Sequence, residues 1–337
     1  MFDPKLVKGK KFVVVGDFMI DHYRFMRTKK LSPEAPVVVF EHVREDYRAG
    51  GAGNVASNLV SLGGKVQFFS IPSLLSRLGI GSFGRSGVVY RNWGVYIPFD
   101  YDMYEKKGTI TVKERILTKR QQICRIDYQD DEMLGSEQAK GILEGYERCV
   151  ADCDAVVMSD YEQGFMNYDM VKRMVWLAQR NEKMVVVDTK ASDSTEKYTG
   201  VTALLPSHAE LEMILGHEEP IAEAARQILL SAKAKMVGVT MGAKGIYALD
   251  RKDVEEDRKG TILPAHIWDE DEVADVTGAG DTVLAATAAA LACGKDFKTA
   301  LTFANEAAAQ VVKKVGVVPV SVEQLCKDRG ESNDKAS

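Results

Sequence analysis

The chain has 337 residues, of which 45% are hydrophobic and 28% charged, and its formal net charge is -5. This composition is typical of a folded globular protein, and the length suits one large α/β domain with an insertion or two ordinary domains. The negative charge argues against a nucleic acid or an anionic membrane surface as the partner.

The N-terminal segment predicts a first β-strand rather than a signal peptide or a membrane span. Its apolar run ends at Asp17 and is too short to cross a bilayer. The five cysteines form no C-x-x-C pair, which favours reduced thiols over a zinc site. We therefore expect a cytoplasmic protein.

Short apolar runs recur along the chain, and most are continuous rather than alternating. Continuous runs are typical of strands buried on both faces of a parallel sheet. We predict strands over 11–17, 65–70, 154–160, 183–189, 202–207 and 235–240. Helical patterns lie between several of them, over 53–63, 136–150, 168–181 and 219–233. This alternation predicts a doubly wound, mostly parallel α/β sheet flanked by helices, with ligands at the carboxyl ends of the strands.

Two segments interrupt this alternation, at about 22–48 and 95–128. Both are rich in β-branched residues that alternate with charges, a pattern typical of an exposed antiparallel sheet. We interpret them as a small β-sheet lid inserted into a single domain covering residues 1–325. The apolar face of such a lid needs cover, which predicts a homodimer through the lid. The polar residues 326–337 are expected to be disordered.

The sequence DVTGAGD, residues 275–281, places three small residues before an acid and an alanine-rich helix. Backbone N–H groups at a helix start lack intrahelical partners and can bind phosphate oxygens, and glycine lets the backbone close around them. A carboxylate in such a loop is costly unless it accepts a proton from an attacking hydroxyl. The alternative is an ordinary acid in a helical first turn, and this motif alone leaves both open.

Acidic and small residues also follow the first predicted strand. Asp17 and Asp21 lie just past its carboxyl end, and the segment GGAGN, residues 50–54, precedes a helix. Carboxylates and amides at strand ends are natural hydrogen-bond partners of sugar hydroxyls. Each residue alone is better explained by a turn or a helix cap, but together they favour a sugar site.

A dinucleotide-type glycine pattern, GIGSFG at 79–84, does not follow a predicted strand. Without a strand–turn–helix context this pattern is a weak signal, so we interpret it as a loop. An NAD-dependent dehydrogenase is therefore not favoured.

Three motifs resemble the signatures of the PfkB, or ribokinase-like, sugar kinase family, and they are GGAGN, VTMGAKG at 239–245 and DVTGAGD. Two further segments, SPEAPV at 32–37 and VVMSDYEQG at 156–164, are similar to the heptose 7-phosphate kinase subgroup of that family. The resemblance covers about residues 9 to 322. It implies a ribokinase-like fold and ATP-dependent phosphorylation of the 1-hydroxyl of D-glycero-β-D-manno-heptose 7-phosphate to the 1,7-bisphosphate, in the synthesis of lipopolysaccharide cores.

The same resemblance implies roles for individual residues. Asp281 is the expected base, and the backbone N–H groups of Gly278, Ala279 and Gly280 are the expected anion hole. The residues expected on the sugar side are Asp17, Asp21, Gly51, Asn54, Arg115, Gln122 and Lys190. A sugar phosphate also needs cations, and the lid offers Arg24, Arg27, Lys29, Lys119 and Arg120, most of them expected to be solvated.

The resemblance also implies how ATP and ions are bound. The residues expected to line the ATP site are Thr240, Gly242, Gly245 and Asn305. Ser207 and Glu210 are expected near Mg²⁺, with Glu210 acting through water, and Asp275 lies where the family often holds a monovalent cation such as K⁺. Family members usually have Asn at the position of Ser207, and serine offers one hydroxyl in place of an amide, so weaker Mg²⁺ positioning is expected.

Two other functions stay open. One is a PfkB-family kinase for another sugar or sugar phosphate, because segment 71–94 departs from the family pattern. The other is a sugar- or nucleotide-sensing protein whose catalytic site has decayed. Retention of Asp281 together with Gly278 and Gly280 argues against decay.

Overall fold

The computed structural model describes residues 1–70, 88–90, 95–97, 100–103, 111–119, 121–129, 134–189, 195–266 and 272–330. The glycine pattern at 79–84, Arg120 and Lys190 therefore lie outside the described residues.

The described strands, in chain order, are β1 Lys11–Gly16, β2 Phe18–Leu31, β3 Val38–Gly51, β4 Lys65–Ser70, β5 Val88–Tyr90, β6 Val95–Ile97, β7 Asp100–Met103, β8 Thr111–Leu117, β9 Gln122–Tyr128, β10 Ala155–Asp160, β11 Met184–Thr189, β12 Ala203–Leu204, β13 Met236–Thr240, β14 Ile246–Asp250 and β15 Thr261–Leu263. The α-helices are α1 Ala52–Ser61, α2 Ser136–Val150, α3 Tyr168–Arg180, α4 His208–Leu215, α5 Ile221–Ser231, α6 Arg251–Glu255, α7 Ala279–Ala292, α8 Phe297–Val311 and α9 Val322–Asp328. All six predicted buried strands and all four predicted helices are present, most with small shifts at their ends, but the strand predicted over 202–207 is reduced to the two residues of β12.

The main sheet has nine strands in the order β15-β14-β13-β12-β11-β10-β1-β4-β7. The seven strands from β13 to β7 run parallel, whereas β14 and β15 are antiparallel. Side chains of β1 alternate between two cores: Val14 packs in one, and Val13 and Val15 pack in the other. Burial on both faces explains why this strand is apolar from Phe12 to Val15 without alternation.

Helix α7 is buried along nearly its whole length, and it packs against α1, α8 and the sheet. Its alanine side chains make this possible, because small residues let neighbouring backbones approach closely on all sides. The start of α7 thereby reaches the carboxyl ends of the central strands, where ligands bind in open α/β sheets.

A second sheet, which forms the lid, has the order β3-β2-β8-β9. The pairs β2–β3 and β8–β9 are antiparallel, but β2 and β8 are parallel, so the lid is mixed rather than antiparallel as predicted. The chain passes through the main sheet at β4 and β7 between β3 and β8, which is the crossover that a parallel pair requires. The lid strands lie within 18–51 and 111–128, compared with the predicted segments 22–48 and 95–128. Residues 95–97 of the second predicted segment pair with 88–90 and not with a lid strand.

The folded chain continues past the predicted boundary at residue 325. Helix α9 extends to Asp328, and Arg329 forms a buried ion pair with Glu306 and donates to the carbonyl oxygen of Phe2 at 2.7 Å. These contacts order residues 326–330, which the sequence placed in a disordered tail. No helix in the described part of the chain is long and apolar enough to cross a membrane.

Candidate active site

Asp281 lies in the first turn of α7 and is only 2% exposed. Its carboxylate accepts hydrogen bonds from the Asn54 side-chain amide at 3.0 Å and from the Tyr161 hydroxyl at 2.9 Å. Burial raises the pKa of Asp281 to about 7, while these two hydrogen bonds act in the opposite direction. A carboxylate with a pKa near 7 can both exist ionised and take up a proton at neutral pH, as a general base must.

The residues around Asp281 explain the glycine before it. Gly278 precedes α7 with φ of 80°, and a Cβ there would lie 2.7 Å from the Asn54 amide nitrogen. That amide also donates to the Gly278 carbonyl oxygen at 3.3 Å, while the Asn54 side-chain oxygen accepts a hydrogen bond from Asn58 at 3.0 Å. Only glycine allows both this backbone conformation and this close approach of α1 to α7.

The predicted anion hole lies at the same helix start. Gly280 is exposed, and the Asp188 carboxylate lies 3.6 Å from where a Cβ on Gly280 would be. The N–H group of Ala279 donates to the Val276 carbonyl oxygen at 3.2 Å, so it already has a partner inside the loop. The loop therefore offers a helix start facing the solvent side, with one of its three predicted donors used internally.

Asp17 lies at the carboxyl end of β1 and is buried. One of its oxygens accepts hydrogen bonds from the backbone N–H groups of Tyr161 at 2.8 Å and Gln163 at 3.3 Å. Burial and the neighbouring Asp160 raise the pKa of Asp17 to about 7. The structure thus connects Asp17 to the turn after β10, a connection that the sequence did not indicate.

Asp21 and Arg115 form a buried ion pair between β2 and β8. Burial raises the pKa of Asp21, and Arg115 opposes that shift. A Cβ on Gly50 would lie 2.1 Å from the Asp21 carboxylate. Gly51 has φ of +56°, and a Cβ on it would lie 2.5 Å from the Asp17 carbonyl oxygen, so its contribution is the tight turn from β3 into α1.

Two residues near the base were missed from the sequence, Tyr161 and Lys113. The Lys113 ammonium group lies 5.3 Å from the centre of the Tyr161 ring, and its charge lowers the pKa of both Asp281 and Asp21. Lys113 and Arg115 are two positions apart on β8 and therefore lie on the same face of the strand. This spacing could have identified Lys113 from the sequence. Tyr161 lies within the VVMSDYEQG segment, but nothing in that segment indicates its partner Asp281, which lies 120 positions away along the chain.

Other predicted residues lie elsewhere. Gln122 is exposed on β9, where it pairs with Leu117. The β9 residue that pairs with Lys113 is Asp127, five positions away, so Gln122 lies about 16 Å along β9 from the level of Lys113. Arg24 is paired with Glu114 at 3.0 Å and does not join the Asp21–Arg115 pair. Arg27 forms an exposed ion pair with Glu41 at 2.7 Å.

A cavity of about 740 Å³ adjoins the start of α7, and its volume suits a nucleotide. All four predicted ATP residues line it, together with two of the anion-hole residues: Thr240, Gly242, Gly245, Asn305, Ala279 and Gly280. Asn305 donates to the carbonyl oxygens of Leu263 and Pro264 at 3.3 and 3.2 Å, which holds one wall in place. Gly245 has φ of +91°, and a Cβ on it would lie 2.0 Å from the Leu263 carbonyl oxygen.

Ser207 and Glu210 form a capping box at the start of α4. The Ser207 hydroxyl accepts from the Glu210 N–H group at 3.2 Å, and the Glu210 carboxylate accepts from the Ser207 N–H group at 2.7 Å. The backbone of Ser207 also forms an isolated parallel β-bridge with Thr240, which lines the cavity. Within the described residues no cluster of three or more His, Cys, Asp or Glu side chains could hold a metal ion. The cap uses one carboxylate oxygen of Glu210, so the chemistry of this side chain fits a water-mediated contact to Mg²⁺.

Asp275 connects the two loops beside the anion hole. Its carboxylate accepts hydrogen bonds from the Thr277 N–H group at 2.9 Å, from the Thr277 hydroxyl at 2.7 Å and from the Gly316 N–H group at 2.9 Å. From the lid, the Arg48 guanidinium donates to the carbonyl oxygens of Val315 and Val317 at 3.0 and 2.9 Å. Asp275 thus helps to hold the loop that leads into α7.

A nucleotide-sized cavity at the start of α7, a buried carboxylate in the first turn of that helix and charged lid residues that act on it together fit a carbohydrate kinase. The family model for pfkB family carbohydrate kinases matches residues 10–324, and the chain belongs to this family. Relatives include the bifunctional protein HldE of Hydrogenovibrio crunogenus, 36% identical over 94% of this chain, and that of Syntrophotalea carbinolica, 35% identical over 95%. The chain spans only 62% and 63% of the lengths of these relatives.

Solved structures show the same fold. A phosphofructokinase-2 mutant from Escherichia coli matches with a TM-score of 0.71 and 16% identity over 95% of this chain and 97% of its own. A ribokinase from Arabidopsis thaliana complexed with ribose and ATP matches with a TM-score of 0.64 and 19% identity over 95% and 99%. These matches confirm the ribokinase-like fold expected from the sequence.

Proposed function

We propose that this protein transfers the γ-phosphoryl group of ATP to the 1-hydroxyl of D-glycero-β-D-manno-heptose 7-phosphate, giving the 1,7-bisphosphate. The observation that carries the proposal is the position of Asp281, a buried carboxylate that directly follows the cavity-lining residues Ala279 and Gly280 and is acted on by the charges of Lys113 and Asp21 of the lid. The heptose assignment is supported by the similarity of the SPEAPV and VVMSDYEQG segments to that subgroup, and by relatives named HldE. Because the donor is ATP, the reaction would take place in the cytoplasm.

Asp281 would accept the proton of the 1-hydroxyl as that oxygen attacks the phosphorus atom. Asn54 and Tyr161 hold the carboxylate in place, and backbone N–H groups of Gly278 and Gly280 would bind the transferring phosphoryl group. A positioned base contributes roughly a hundred- to ten-thousand-fold to such rates, and positioning with charge neutralisation supplies most of the remainder.

Mg²⁺, when bound with ATP, would neutralise charge on the phosphates. One carboxylate oxygen of Glu210 is held at the start of α4 by the Ser207 N–H group. Glu210 would therefore act on the ion through a water molecule. Asp275 is the residue that would hold K⁺ beside the anion hole. On the sugar side, Asp21 and Arg115 are the buried charged groups that the lid offers to hydroxyls.

We also propose that the lid forms a homodimer interface. Its strands expose apolar side chains, among them Val43, Ile126 and Tyr128, which are 58%, 42% and 51% exposed. An Ile126→Asp variant should sediment as a monomer if this face is the interface, and unchanged sedimentation would contradict the proposal.

The function is tested by measuring ADP release with heptose 7-phosphate, free heptose, fructose 6-phosphate and ribose, with Asp281→Asn as the inactive control. We expect the 7-phosphate to be the preferred acceptor by at least about tenfold in kcat/KM, with the product phosphorylated at C1. Preference for free heptose would reject the heptose phosphate, and a different preferred sugar would indicate another kinase of the family. No turnover on any acceptor would favour a decayed site.

A further inference from the structure

The turn that follows β10 is held from both sides. Asp17 accepts hydrogen bonds from the N–H groups of Tyr161 and Gln163, and Asp160 accepts from the N–H group of Glu162 at 2.9 Å. Glu162 has φ of 55°, a left-handed conformation that costs energy for a residue with a side chain. Such strain persists only where surrounding contacts enforce it, and it is concentrated at functional sites.

Asp160 itself is fixed by a buried ion pair. Its other oxygen lies 2.8 Å from the Lys197 ammonium group, and the two side chains are 0% and 3% exposed. The Tyr198 hydroxyl donates to the same oxygen and accepts from Thr189 at 3.1 Å. A buried ion pair contributes little net stability, so its presence is better explained by the geometry that it enforces on this turn.

The turn presents one group to the proposed base. The Tyr161 hydroxyl donates to one oxygen of Asp281, while Asn54 of α1 donates to the other. Two charged groups of the lid also act on Asp281: Lys113 of β8 favours its ionised form, and Asp21 of β2 opposes it. Burial raises the pKa of the Tyr161 hydroxyl and keeps it protonated, and the charges of Asp281 and Asp188 act in the same direction.

We propose that Tyr161 is a positioning residue for the base, and that the turn held by Asp17 and Asp160 serves to place its hydroxyl against Asp281. The hydroxyl restricts the Asp281 carboxylate to one orientation and favours its ionised form, which is the form that accepts the sugar proton. This inference rests on the proposed role of Asp281 as the base. It also assigns Asp17 a function that does not depend on contact with the sugar.

The test compares Tyr161→Phe with Tyr146→Phe. Tyr146 is a matched control, because its buried hydroxyl donates to the Met174 carbonyl oxygen at 3.1 Å and does not touch Asp281. The Asp281 carboxyl is titrated by carbon-13 NMR, with its signal assigned by its absence in Asp281→Asn. The pH profile of kcat/KM is measured in parallel.

In Tyr161→Phe the carboxylate loses one donor, so its titration midpoint should rise by about one pH unit. The acid limb of the kcat/KM profile should shift to higher pH by the same amount. The rate at pH 6.5 should therefore fall about tenfold and recover at alkaline pH. Tyr146→Phe should match the wild type in both measurements. Site-specific 3-fluorotyrosine at position 161, a stronger donor that retains the ring, should move the midpoint the opposite way.

A midpoint in Tyr161→Phe equal to that of the control would overturn the inference. So would a rate lowered equally at every pH, because that indicates a structural role only. If the wild type turns over no sugar, the proposed function has failed, and the NMR titration still decides the role of Tyr161.

Discussion

Replacing Asp281 with asparagine should abolish turnover and stabilise the fold at alkaline pH. The asparagine side chain has the same shape, its oxygen can accept from Asn54, and its NH₂ group can donate to the Tyr161 oxygen. The site should therefore keep its geometry while losing the group that accepts a proton. We expect turnover to fall by at least about a hundredfold, with binding of ATP largely unchanged.

The stability gain follows from the buried charge. Burial raises the pKa of Asp281 from 3.8 to about 7, so the folded state binds a proton more tightly than the unfolded state. The wild type therefore loses stability as pH rises through that window, and the loss is complete above about pH 7. A shift of roughly three units corresponds to about 4 kcal/mol at pH 8, but to only about 1–2 kcal/mol at pH 5. Asparagine carries no such penalty.

The assay is urea-induced unfolding of the wild type and Asp281→Asn at pH 5 and pH 8. The variant should gain about 2–3 kcal/mol more at pH 8 than at pH 5. Asp152→Asn is the control, because this exposed carboxylate pairs with Lys11 at the surface and should have the same small effect at both pH values. An equal gain at both pH values would refute the electrostatic argument, and near-normal turnover would refute the assignment of the base.

Three further outcomes are expected. Ser207→Asn should lower the Mg²⁺ concentration needed for half-maximal rate without changing the preferred sugar, and a titration without that shift would separate position 207 from the metal. Rates should be higher in K⁺ than in a bulky organic cation if Asp275 holds a monovalent ion, and equal rates would count against it. Arg115→Met leaves Asp21 buried without its partner, which should cost about 3–5 kcal/mol of stability and raise KM for the sugar but not for ATP; a parallel rise in both KM values would contradict a role on the sugar side only.

Much of the α/β architecture was predictable from local pattern. Strands buried on both faces must be apolar at every position, so runs such as that at Val13, Val14 and Val15 identify the central sheet without reference to the rest of the chain. The small residues before Asp281 were likewise informative, because Gly278 has a positive φ and a Cβ there would collide with the Asn54 amide, so a glycine is needed at this helix start.

The lid shows where local pattern stops. The alternating pattern predicted the lid strands. The pairing of β2 with β8 depends instead on a crossover through the main sheet, and the sequence pattern of neither strand indicates that crossover. The resemblance implied Gln122 on the substrate side, and Arg24 was one of five lid cations offered to a sugar phosphate, but neither inference took account of strand pairing. Which face a lid residue occupies, and how far along the strand it lies, follows from register, and register is decided by the partner strand.

The chain's own sequence determined the fold class and indicated the candidate base, since continuous apolar runs and small residues before a helix are local features. The glycines expected on the nucleotide side came from the resemblance to the family. Only the tertiary structure decided what surrounds that base. Tyr161 and Asn54 donate to Asp281, and the charge of Lys113 acts on it, from three different parts of the chain. Hydrogen bonding and burial depend on distance in space. The pKa of Asp281 is therefore a property of the packed molecule, because water excluded by distant segments is what penalises its charge.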